Sequence, residues 1–88
     1  MIINENIIKI KDEMLALIGG TDYNYIINLY NNTDNENENI DEIYEKIEKF
    51  VNLNYDSQKK ENFDNLYYSL ISLDCQLVEK EKEINSIN

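Results

Sequence analysis

Five apolar side chains, Ile3, Ile7, Ile10, Met14 and Leu17, recur at alternating intervals of four and three residues, which places them all on one stripe of an α-helix. The chain has no proline to interrupt such a stripe. Its two glycines, Gly19 and Gly20, stand where the stripe ends and predict a helix stop there, because a left-handed terminal conformation costs glycine nothing. Near the other end, Phe63, Leu66, Leu70, Leu73 and Leu77 repeat at three and four residues, with Tyr67, Ile71, Val78 and Ile84 widening the stripe. Asp56 or Ser57 can cap that long helix, and 79–88 is expected to fray, since its charges can pair but have little to bury.

Between these helices, Tyr23, Ile26, Ile27 and Tyr30 fit a helical face, while Tyr23, Tyr25, Ile27 and Leu29 fit strand alternation. The segment therefore reads either as a short helix capped by Thr21 or Asp22, or as part of a hairpin across residues 15–30. Residues 31–39, NNTDNENEN, form a polar tract with nothing apolar to anchor it, and read as an acidic loop. Ile40, Ile43, Tyr44, Ile47, Phe50 and Val51 then make a broad apolar stripe on a helix running to about Leu53, entered through Asn39 or Asp41. The expected architecture is one mostly α domain over 1–88, a three- or four-helix bundle on an Ile/Leu/Tyr core with room for a short β-hairpin near 15–30.

Eighteen carboxylates face eight lysines, with no arginine and no histidine, for a formal charge of −10 on 88 residues. Without an imidazole, and with the one thiol of Cys75 on a helical segment, the usual acid, base and nucleophile groups are nearly missing, so an enzyme is not expected. Nor is a cofactor. The charge repels phosphate and anionic lipid and attracts cationic surfaces, so the expected partner is a basic protein, with no direct nucleic-acid or membrane binding. No window approaches a membrane span, the N-terminus lacks a cationic leader, and Cys75 has no internal disulfide partner, which together point to the cytoplasm.

From Asp34 to Glu48, seven acids (Asp34, Glu36, Glu38, Asp41, Glu42, Glu45 and Glu48) against Lys46 leave −6 over 15 residues. Residues three or four apart on a helix lie about 5–6 Å from one another, so Glu38, Glu42, Glu45 and Glu48 can form a ladder of negative charge. Such a ladder imitates the phosphate rail of DNA, about one charge per 1.7 Å of axis. The same acids can be laid on a calcium loop, but Asn39 stands where that loop needs glycine and Asp41 where it is usually apolar, so no metal site is expected.

The stretch GGTDYNYIINLYNN and the loop NNTDNENE, following the amphipathic INENIIKIK segment, resemble a family of small acidic phage anti-CRISPR proteins that inhibit the type II RNA-guided DNA nuclease. The resemblance implies an α+β fold with a small antiparallel sheet, and an acidic loop that occupies the nuclease cleft reading the motif beside the DNA target. Carried onto this chain, Asn32, Asp34, Asn35 and Glu36 take the loop role, and Asp56 stands at a second acidic turn. The chain departs from the family pattern at Thr33, an insertion, and at Lys59 and Lys60, where the family is acidic.

The expected function is inhibition by occupancy: an acidic surface docks on a basic nucleic-acid site and blocks it in the host cytoplasm, and the resemblance implies that this site belongs to a CRISPR nuclease. One alternative is an immunity or antitoxin protein that neutralises a cationic toxin. Another is a coiled-coil adaptor that self-associates through Leu66, Leu70, Leu73 and Leu77.

Overall fold

The computed structural model describes the backbone of residues 2–32 and 39–87, and side chains as far as Lys82. Over these residues the chain forms α1 (Ile2–Ile18), α2 (Gly20–Asn31), α3 (Ile40–Asn54) and α4 (Ser57–Ile87), and no strand. A helix rises about 1.5 Å per residue, so the 31 residues of α4 account for nearly all of the 48 Å long dimension of the molecule.

The first corner is made by Gly19, whose φ of 86° and ψ of 162° belong to a region that side chains with a Cβ essentially do not enter. Its N–H closes α1 by donating to the Leu15 carbonyl, and its own carbonyl accepts the first bond of α2, from Tyr23 N–H. One residue therefore serves as the end of one helix and the start of the next. Neither Thr21 nor Asp22 caps α2; that position is Gly19, which has no side chain to offer.

The hairpin expected near 15–30 does not form. Leu15 belongs to α1, and Tyr23 to Tyr30 are helical, with Ile26 and Tyr30 buried while Tyr25 stays exposed. An isolated two-stranded ribbon would leave unpaired edges with no sheet to join, whereas a helix satisfies its backbone internally and still delivers Ile26 and Tyr30 to the core.

Asn39 starts α3 by accepting the Asp41 N–H on its side-chain oxygen at 2.9 Å, and Asp56 starts α4 by accepting the Lys59 N–H at 2.8 Å. Between them, Tyr55 is extended, which turns the chain back on itself. Close pairs run in opposite senses along neighbouring helices: Asp22 meets Tyr55 and Tyr25 meets Phe50 between α2 and the α3 end, while Tyr44 meets Tyr67 and Tyr55 meets Phe63 from the α3 side to α4. The helices are thus antiparallel neighbours, as short connections require.

The core gathers Met14 of α1, Ile26 of α2, Ile43, Ile47 and Val51 of α3, and Phe63, Tyr67 and Leu70 of α4, all with almost no solvent contact. Tyr67 is central: its ring lies within 5.6–6.1 Å of Phe63, Tyr30 and Tyr44, stacked on the first and edge-on to the others. Leu66, Leu73 and Leu77 pack partly buried against the same cluster, so the heptad-like row of α4 is used within one chain. Among the described residues no helix is long and apolar enough to cross a membrane.

The adjacent glycines should respond oppositely to alanine. Gly19→Ala forces a side chain into a forbidden backbone region and is expected to cost about 1–3 kcal/mol. At Gly20 a Cβ meets nothing within 4 Å and the backbone is helical, so Gly20→Ala should add roughly 0.5–1 kcal/mol. Urea unfolding of both variants measures the difference.

Candidate functional site

Ile43, Ile47 and Val51 lock one face of α3 into the core, and the opposite face is thereby committed to solvent. Asp41, Glu42 and Glu45 stand on it, exposed, in the first turns of the helix, where the positive end of the helix dipole favours acids. Lys46 and Lys49 are exposed further along the same helix. Among the described residues the one ion pair is Lys60 with Asp64, at 2.8 Å within α4, so Asp41, Glu42 and Glu45 are not engaged by a lysine. Asn32 ends α2, exposed, with its N–H directed to the Leu29 and Tyr30 carbonyls.

Two of the acids singled out from the sequence have work inside the fold. Asp56 caps α4. Glu48 leaves the expected ladder and turns toward α4, half-buried beside Asp64 and Lys60. Burial pushes its carboxyl above the ordinary carboxylate range, the charge of Asp64 raises it further, and the Lys60 ammonium opposes the rise. Glu48 Oε1 and Asp64 Oδ1 are both shielded from solvent without a hydrogen-bond partner among the described residues, as is the Tyr67 hydroxyl. Asp34, Asn35, Glu36 and Glu38 lie outside the described residues.

Asp64 carries no motif in the sequence, and Lys60 stands out there only as a departure from the family pattern. The available signal is positional: Glu48 lies four residues after Tyr44 and three before Val51, on the flank of the apolar stripe, a position from which the rotation of the neighbouring helix decides whether its stem lies inward or outward. Tyrosines supply the other polar ties. The Tyr55 hydroxyl donates to Asp22 at 2.8 Å, and the Tyr30 hydroxyl donates to Asp74. Burial, then these carboxylate partners, push both phenols well above their ordinary pKa, so both remain protonated donors.

Among the described residues no three of the Cys, Asp and Glu side chains gather closely enough to hold a metal ion. Cys75 is a free, exposed thiol on α4. No family model, curated protein or solved structure matches the chain.

Glu48 makes a pH prediction whose sign is opposite to that of an ordinary ion-paired acid. Its pKa is raised in the folded state, so the proton binds the folded chain more tightly; the resulting stability is full below the unfolded value of about 4.3 and is lost as pH rises through the folded value. The other carboxylates also repel less on acidification, so the comparison is with Glu48→Gln. Thermal midpoints taken from about pH 8 down to pH 5 should rise more steeply in the parent chain than in that variant.

Proposed function

We propose that this protein is a small acidic inhibitor that occupies a cationic nucleic-acid-binding groove on another protein and excludes its substrate. The observation that carries the proposal is the exposed, lysine-free start of α3, where Asp41, Glu42 and Glu45 are held on a helix whose other face is locked in the core. It continues a longer imbalance: Asp12, Glu13, Asp22, Asp34, Glu36, Glu38, Asp41, Glu42 and Glu45 follow one another along the chain without a lysine between them. Rigid carboxylates a helical turn apart match a groove built for phosphates, and their field speeds the encounter with such a groove.

The resemblance to small phage anti-CRISPR proteins suggests the target, a type II RNA-guided DNA nuclease, met in the cytoplasm of a host cell. The fold of this chain is all helical over the described residues, so the kinship would lie in charge and mode of action and not in a shared sheet. An antitoxin acting on a cationic toxin has the same electrostatics and differs in its target. The adaptor alternative has less support, because Leu70 is fully buried and Leu66, Leu73 and Leu77 lie against the core.

The combined variant Asp34→Asn, Glu36→Gln, Glu42→Gln and Glu45→Gln should keep its helical circular dichroism and lose at least about tenfold in affinity for a purified type II nuclease, mostly through slower association. Affinity of the parent chain should fall between low and moderate salt. Unchanged binding by the variant would reject the acidic surface as the recognition element, and no binding by the parent chain would reject the nuclease as target.

A further inference from the structure

Where α4 continues past the core, Tyr30 and Asn31 of α2, Ile40 and Tyr44 of α3, and Ile71, Leu77 and Val78 of α4 enclose a cleft of about 590 Å³. That volume lies within the range of roughly 300–1,000 Å³ that receives a small ligand or an anchoring side chain. Two of its aliphatic walls are open to solvent: Ile40 is 46% and Val78 49% exposed. The cleft also has fixed polar groups. Asp74 accepts the Tyr30 hydroxyl, and Glu79 adds a second carboxylate, while Lys11 and Lys82 enter from α1 and α4.

We infer that this cleft is an anchor pocket for the partner of the acidic surface: it takes an aliphatic or aromatic side chain from a cationic, amphipathic protein segment. The inference rests on the inhibitor function above and names the chemistry of the partner's contacting segment. Charge decides the occupant. Inside the cleft the two carboxylates and two lysines balance, but Ile40 is followed directly by Asp41 and Glu42, both exposed and without an ion pair among the described residues, so the α3 margin is negative. Basic residues flanking the anchor therefore belong on the α3 side, and the lysines of α1 and α4 would repel a segment docked in the reverse direction. Burial of one aliphatic anchor supplies affinity that charge alone does not, and holds the complex in moderate salt, where long-range attraction is screened.

The test uses three synthetic peptides of equal length: one with leucines at helical i, i+3, i+4, i+7 spacing and lysines elsewhere, an oligolysine brought to the same length and net charge with serine in place of each leucine, and the leucine pattern with glutamates. Fluorescence anisotropy against the full chain in moderate salt should show the Leu/Lys peptide binding about tenfold or more tighter than the oligolysine, with no binding of the Leu/Glu peptide. Ile40→Ser with Val78→Ser should erase that advantage. Leu53→Ser, at an equally apolar but remote position on α3 that is 78% exposed, should preserve it. Both changes are at exposed positions, and circular dichroism verifies the fold. Equal binding of the two basic peptides, binding of the Leu/Glu peptide, or indifference to the Ile40/Val78 substitutions would overturn the pocket. If the nuclease does not bind but the Leu/Lys peptide still depends on Ile40 and Val78, the target falls and the pocket holds. If the nuclease binds the Ile40/Val78 variant as well as the parent, the pocket falls and inhibition by charge holds.

Discussion

Burial of the Phe63, Tyr67 and Leu70 face of α4 is the contact on which the remaining structure depends. α4 is about twice as long as α3, and each of the shorter helices contributes side chains to that one row: Met14 from α1, Ile26 from α2, and Ile43, Ile47 and Val51 from α3. Large aromatic side chains make this efficient, since one ring of Tyr67 touches the packing of two other helices at once. The arrangement also explains why the outer face of α3 is reliably outward. Three buried branched side chains on one helix leave Asp41, Glu42 and Glu45 on the far side no route to the interior.

A chain without arginine must stabilise its inner acids by other means, and here tyrosine does much of that work. Asp22 and Asp74 each receive a phenolic hydroxyl from another part of the chain, 33 and 44 residues away. A neutral donor satisfies a carboxylate without consuming a lysine, so the negative charge remains available to the field of the whole molecule. Glu48 follows a different rule, in which burial and the nearby charge of Asp64 raise its hold on a proton. The acids are therefore placed unevenly: those between α3 and α4 lie beside Lys60, and those where α3 begins stand exposed.

The four-helix plan was legible because it is written in local spacing. Ile3 to Leu17 and Phe63 to Leu77 have a period that only a helix satisfies, Gly19 marks a corner, and Asn39 and Asp56 are residues whose side chains suit the caps they form. The segment from Tyr23 to Tyr30 is ambiguous in the sequence, since eight residues alternate and wind equally well; among the described residues no other strand forms with which it could pair. At the candidate site, exposure of Asp41, Glu42 and Glu45 follows from the α3 stripe, but the diversion of Glu48 does not. It depends on the rotation of α3 relative to α4, a tertiary quantity, as do the pairings of Tyr30 with Asp74 and Tyr55 with Asp22.

Those two tyrosine contacts lie at opposite ends of α2, Asp22 in its first turn and Tyr30 in its last. Adding or deleting a single residue between them would rotate one end by about 100° relative to the other, because a helix advances 3.6 residues per turn. Either Asp22 or Tyr30 would then swing away from its partner, and Ile26 could not stay directed at the core beside both. The length of this short helix is accordingly as constrained as its composition: substitutions on its outer face can be absorbed, whereas insertions and deletions within it cannot.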